Sequence, residues 1–115
     1  IVQEIKKLES EMKIQKEYFI QINTGNESQK SGVQLADADQ FIDQCINQYN
    51  FKLKGLMCIP PVGEDPKGHF NTLKDIANNH QLRCLSMGMS NDYEMAIQCG
   101  ATHIRIGTLI FGERV

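Results

Sequence analysis

No two cysteines in these 115 residues have C-x-x-C spacing: Cys45, Cys58, Cys84 and Cys99 lie 13, 26 and 15 residues apart. That pattern speaks against a zinc knuckle. The histidines, His69, His80 and His103, are equally scattered and form no metal-ligand spacing. Basic residues are not in excess, since 12 Lys and Arg stand against 14 Asp and Glu for a net charge of −2. A nucleic-acid surface, which needs a basic patch, is therefore not expected. No apolar run approaches the ~18 residues of a membrane span, and no signal-peptide pattern opens the chain. There is no G-x-S-x-G elbow. Gly107 and Gly112 have P-loop separation, but Glu113 and Arg114 follow where Lys and Ser or Thr are required. The expectation is a soluble cytoplasmic protein with reduced thiols, Cys58 and Cys84 acting as small hydrophobes inside apolar runs.

What is present is an alternation of two periodicities. Ile1, Ile5, Leu8 and Met12 recur at helical spacing over residues 1–13. "YFIQIN" (18–23) is aromatic and β-branched and reads as a strand. "TGNESQKSG" (24–32) reads as a polar loop. Residues 35–49 return to helical spacing through Leu35, Phe41, Ile42, Cys45, Ile46 and Tyr49, with Asp37, Asp39 and Asp43 toward the start, where the helix dipole favours them. "LKGLMCI" (53–59) has the apolar character of a strand buried on both faces. The prolines and glycines of 60–68 predict a loop, and 69–79 a helix ending near His80. "RCLSM" (83–87) predicts a strand. Residues 90–100 predict a short helix with Ser90 at its N-cap, Asp92 and Glu94 in its first turn and Gly100 at its stop. "HIRIGTLIFG" (103–112) begins as a strand.

The order α-β-α-β-α-β-α-β implies parallel strands joined by helical crossovers. Four such units make either a small doubly wound sheet or half of a (β/α)8 barrel, whose full length is ~250 residues. The chain opens "IVQEI" without methionine and closes just after a strand. Its length and both ends fit half of a barrel.

Either architecture binds ligands at the carboxyl ends of its strands. Two of those ends share a character. "LSMGMSND" (85–92) has a glycine between two serines and no titratable side chain between Ser86 and Ser90; "RIGT" (105–108) repeats glycine then hydroxyl. Glycines let backbone N–H groups approach a phosphate, and a helix start orients them. A tight turn with a cap accounts for "SMGMS" equally well when it is taken alone. Arg105 alternates with Ile104 and Ile106 and so points to the opposite face from them, as a salt-bridge partner or as a donor to a ligand. Lys30 lies in a loop on the same side, near Asn23. Neither His80 nor His103 is read as a catalytic base.

Together "IQINTGNESQKSGV", "LKGLMCIP" and "LSMGMSNDYEMAIQCGATHIRIGTLIFG" resemble the C-terminal half of the pyridoxal 5′-phosphate homeostasis protein family, from about Tyr18 to Arg114. The resemblance implies the barrel of the alanine racemase N-terminal domain. It implies binding of pyridoxal 5′-phosphate (PLP) and a role in PLP homeostasis as a carrier without established turnover. It implies a phosphate cup of Ser86 and Ser90 with the backbone of Gly88 and Met89, continued by Ile106, Gly107 and Thr108. Arg105 would face the pyridine nitrogen, and Asn23 and Met57 would line the pocket. The family's aldimine lysine would precede residue 1, so this chain would be a partial PLP-binding domain over 1–115, lacking the first strands and the final helix. Its expected partners are PLP, the missing half of the barrel or a second copy, and PLP-requiring apoenzymes. The alternatives are a racemase-type PLP enzyme, which would need a second base from elsewhere, and a half-barrel acting on sugar phosphates.

Overall fold

A seven-residue strand, β1 (Glu17–Asn23), occupies an inner position of a parallel sheet in the computed structural model, which describes residues 3–7, 17–25 and 32–105. The sheet order is β2 (Val33–Gln34), β1, β3 (Lys52–Met57) and β4 (Cys84–Ser86). A parallel bridge from Ser86 to His103 adds the start of one more strand beside β4. Its backbone bonds are His103 N–H to the Leu85 carbonyl at 3.0 Å and Met87 N–H to the His103 carbonyl at 3.0 Å. Thus β1, β3, β4 and the His103 segment lie side by side in chain order. The two-residue β2 lies on the far side of β1, so strand order alone does not separate the two architectures; a doubly wound sheet carries helices on both faces, whereas here the helices cover one face and the other curls inward, as a barrel wall does. The barrel expectation holds and the doubly wound alternative falls.

The register sorts side chains onto two faces, because paired residues in a parallel ladder point the same way. Ile20, Leu56 and Leu85 form one row, all buried. The helices cover this face. α2 (Leu35–Asp43) brings Ala38 and Ile42, α3 (Pro66–Asn79) brings Phe70, Leu73 and Ala77, and α4 (Tyr93–Gln98) brings Ala96. Together they make one apolar core. The opposite face carries Phe19, Gly55 and Cys84 in one row and Gln21, Met57, Ser86 and His103 in the next. The Phe19 and His103 rings meet edge to face with centroids 5.2 Å apart. Three strand spacings would hold their backbones about 14 Å apart in a flat sheet. The contact therefore requires the sheet to curl, with this second face concave.

Several boundaries differ from the sequence expectation. A single helical turn, α1, spans residues 3–7 of the helix expected over 1–13; residues 8–16 lie outside the described residues. The helix expected over 35–49 is α2 followed by a π-helical turn at Gln44–Gln48, which leads Tyr49 and Phe51 into an aromatic group with Tyr18. α3 begins at Pro66, inside the stretch expected as loop. Proline is suited to a helix's first position, where its missing N–H costs nothing, and the Asp65 carboxylate caps the Lys67 N–H at 3.0 Å. α4 begins after Asp92, so Ser90 is not its N-cap. Gly100, at φ +102°, ends that helix as expected. β2 was not expected at all.

Candidate functional site

The carboxyl end of the sheet brings together residues from three strand ends. Asn23 closes β1 and is buried; Met57 closes β3; Ser86 closes β4, opposite Met57 in register. Beyond β4 the chain turns through Gly88 at φ +103°, a conformation that side chains of L residues rarely adopt. Arg105 arrives from the next segment. Its N–H donates to the Gly88 carbonyl at 2.8 Å, and its guanidinium Nη2 donates to the Met57 sulfur at 3.2 Å. The two glycine-bearing stretches thus meet at Gly88 and Arg105. Ile106, Gly107, Thr108 and Lys30 lie outside the described residues.

Arg105 is exposed and finds no carboxylate within salt-bridge distance among the described residues. The salt-bridge reading of this arginine therefore has no partner here. Its place on the concave face is fixed by the contact with Met57. The side-chain hydroxyls of Ser86 and Ser90, both half-buried, take no hydrogen-bond partner among the described residues. The Met89 N–H is engaged: it donates to Asp92 Oδ1 at 2.7 Å. This bond gives Asp92 a local role in closing the turn, and the start of α4 takes no side-chain cap. The described residues fit an anionic group with several acceptor oxygens: a free cation, two open hydroxyls and a glycine turn stand at one rim.

Behind the rim lies a polar chain that the sequence did not suggest. The Thr24 hydroxyl lies 3.0 Å from His69 Nδ1, and His69 Nε2 lies 3.1 Å from Glu64 Oε1. These contacts tie the first turn of α3 to the end of β1. Burial pushes the Cys58 thiol up to about 12, with the Thr24 bond opposing and the Asp92 charge adding to the rise. Burial likewise raises Cys45. Cys58 therefore stays a neutral thiol at ordinary pH, inert toward nucleophilic chemistry. The folded state holds the Cys58 proton more tightly than the unfolded chain, whose thiol titrates near 9. The Cys58 contribution is accordingly intact below pH 9 and is lost as pH rises from 9 toward 12. Urea midpoints at pH 8 and pH 10.5 should show the loss, and Cys58→Ala should make the curve flatter. An unchanged slope in that variant would refute the assignment.

Of the residues expected at the site, Asn23, Met57, Ser86, Gly88, Met89, Ser90 and Arg105 all stand at this end of the sheet. Gln21 and His103, on the concave face in register with Met57 and Ser86, were missed. The alternation that placed Arg105 also places His103, two residues earlier, and was the available signal.

Comparisons with known proteins agree with this architecture. The family described as "Alanine racemase, N-terminal domain" matches residues 1–115. The pyridoxal phosphate homeostasis protein of Aquifex aeolicus is 38% identical over 123 residues, covering 99% of this chain and 54% of the relative. That of Escherichia coli K12 is 38% identical over 104 residues, covering 84% of this chain and 44% of the relative. The crystal structure of PipY from Synechococcus elongatus with PLP bound superposes with a TM-score of 0.81 at 28% identity, covering 96% of this chain and 55% of PipY. The same protein without PLP gives a TM-score of 0.84. The chain spans about half the length of the curated relatives it matches. With a family match along its whole length and strands that follow one another around a curling wall, the chain belongs to the alanine racemase N-terminal domain family.

Proposed function

We propose that these strand ends grip the phosphate of pyridoxal 5′-phosphate, and that the chain is the phosphate-holding part of a cytoplasmic PLP homeostasis protein. The observation that carries the reading is the meeting of Gly88 and Arg105, which joins the glycine turn between Ser86 and Ser90 to a strand whose guanidinium lies against Met57 on the concave face with no carboxylate partner among the described residues. The names of the Aquifex and E. coli relatives and the PLP in the PipY neighbour support it. In this reading Ser86, Ser90 and the Gly88–Met89 backbone hold phosphate oxygens, Ile106, Gly107 and Thr108 continue the cup, and Asn23 and Met57 line the wall.

PLP supplies an aldehyde on an electron-withdrawing pyridine ring. A cation at the pyridine nitrogen opposes its protonation and weakens that withdrawal. Arg105 in that position suits carriage better than turnover. In this reading the lysine that carries the aldehyde belongs to the other half of the barrel, and this chain's wall would be completed by that half or by a second copy of the chain. The recipients would be PLP-requiring apoenzymes.

The test is a PLP titration followed by absorbance and fluorescence. Binding should be reversible, should be competed by inorganic phosphate, and should leave no adduct after borohydride reduction. Ser90→Ala should weaken it about tenfold, the worth of one hydrogen bond to a charged group. A borohydride-stable adduct at Lys30 would overturn the division of labour between the halves. Unchanged affinity in Ser86→Ala/Ser90→Ala would remove the cup.

A further inference from the structure

His103 has no role in the reading above, and its surroundings give it one. Thr102 Oγ1 accepts the Leu85 N–H at 2.8 Å. The Leu85 carbonyl already receives two backbone N–H groups, from Thr102 at 2.9 Å and His103 at 3.0 Å. Those two bonds occupy both lone pairs of the oxygen. The Thr102 hydroxyl lies 3.2 Å from that carbonyl and 2.9 Å from His103 Nδ1. With that carbonyl already engaged by two shorter bonds, a hydroxyl proton turned to Nδ1 leaves the imidazole's own proton on Nε2. The Phe19 ring packs edge to face against the imidazole and fixes its plane. The register sets the side chain on the concave face beside Ser86. His103 is exposed, and its Nε2 has no acceptor among the described residues. The result is a held ring with one oriented, unused donor, in the same residue row as Ser86 of the proposed phosphate cup.

We propose that His103 is a ligand-contacting residue, donating from Nε2 to an oxygen of the phosphorylated pyridine. The inference rests on the PLP reading of the strand ends. It adds a donor below the cup, so that Ser86, His103 and Arg105 present three donors to one ligand. The Thr102 hydroxyl is the positioning group, because it sets which ring nitrogen carries the proton. Loss of Thr102 would free the tautomer without removing the ring.

The experiment is a long-range 1H–15N spectrum of the imidazoles during titration of the protein with PLP. The chain has only 3 histidines, so the spectrum is simple. His80 is the internal control: it sits at the end of α3 and its Nε2 is committed to Asp39 at 2.8 Å. The His103 Nε2 resonance should move with saturation while the His80 resonances stay fixed. His103→Leu should raise the Kd about tenfold with an unchanged thermal midpoint, and His103→Gln, which keeps a donor, should restore affinity to within about threefold of the parent, as expected for one hydrogen bond. If PLP moves the amides of Gly88 and Ser90 but leaves His103 unmoved, the inference fails and the phosphate cup stands. If Leu and Gln weaken binding equally, the donor role fails. If PLP moves no resonance, both readings fail together.

Discussion

Gly55→Ala should cost at least about 3 kcal/mol of folding stability, above the middle of the usual range for overpacking. Gly55 lies in β3, paired with Phe19 of β1 on one side and Cys84 of β4 on the other. A Cβ built there falls inside the van der Waals contact of the Cys84 carbonyl and 2.8 Å from the Cys84 Cβ. The obstacle is backbone in the middle of a sheet, so no side-chain rotation relieves it. β3 and β4 would have to separate, with loss of the Leu56–Leu85 and Met57–Ser86 pairs that set the site. Urea denaturation followed by far-UV circular dichroism measures the loss. Gly68→Ala supplies the contrast. Gly68 lies inside α3 with nothing within 4 Å of a built Cβ. There the same substitution should stabilise by about 0.5–1 kcal/mol, the helix preference of alanine over glycine. If Gly55→Ala proves as stable as the parent, the close approach of β3 and β4 is wrong.

Gly88→Ala should damage stability and the site together, by about 2–4 kcal/mol and at least tenfold in PLP affinity. Two causes add. The backbone sits at φ +103°, which costs a non-glycine residue about 1–2 kcal/mol. The new methyl would also stand 2.6 Å from the Ala96 Cβ, in the buried face of α4, and 3.2 Å from Ile104 Cγ2. The two causes separate in a double-mutant cycle. Ala96→Gly removes the clash and leaves the strain, so the double variant should be more stable than the sum of the single losses. Strict additivity would show that the helix gives way without cost, and the packing of α4 against the turn would carry no weight in the site.

Much of the architecture is legible in the residues because it is local. The aromatic and β-branched run at 18–23, the apolar run at 53–59 and the helical spacing at 35–49 each declare themselves within one element. What failed was of another kind. Val33–Gln34 is too short to show any period, and it is a strand only because Ile22 and Asn23 accept it as a partner. Pro66 reads as a breaker from within a Pro- and Gly-rich stretch, yet at a first helical position it initiates. Ser90 and Asp92 are both good cap residues; Asp92 takes the N-cap position, but its carboxylate turns back to the Met89 N–H and leaves the helix without a side-chain cap. Arg105 stands between two isoleucines and is nonetheless exposed. The deepest miss is Gln21 and His103 beside Met57 and Ser86 on the concave face: alternation marks the face of His103, but the register that sets the four residues in one row leaves no mark on the sequence. Glycine spacing pointed to the Gly88–Arg105 junction; only three-dimensional pairing revealed the imidazole beneath it.

The Asp92 bond to the Met89 N–H changes how the rim should be viewed. An incoming phosphate that takes this N–H finds it already held by a carboxylate. Capture is then an exchange of one anion for another at a single donor, and the free energy of entry is a difference between two charged hydrogen bonds. In the proposed reading a weakly basic or singly charged anion would gain little from such an exchange, whereas a phosphate dianion also reaching the two serine hydroxyls would gain much more. If the rim holds phosphate as proposed, the resident carboxylate would act as a placeholder that sets a threshold against anions of lesser charge.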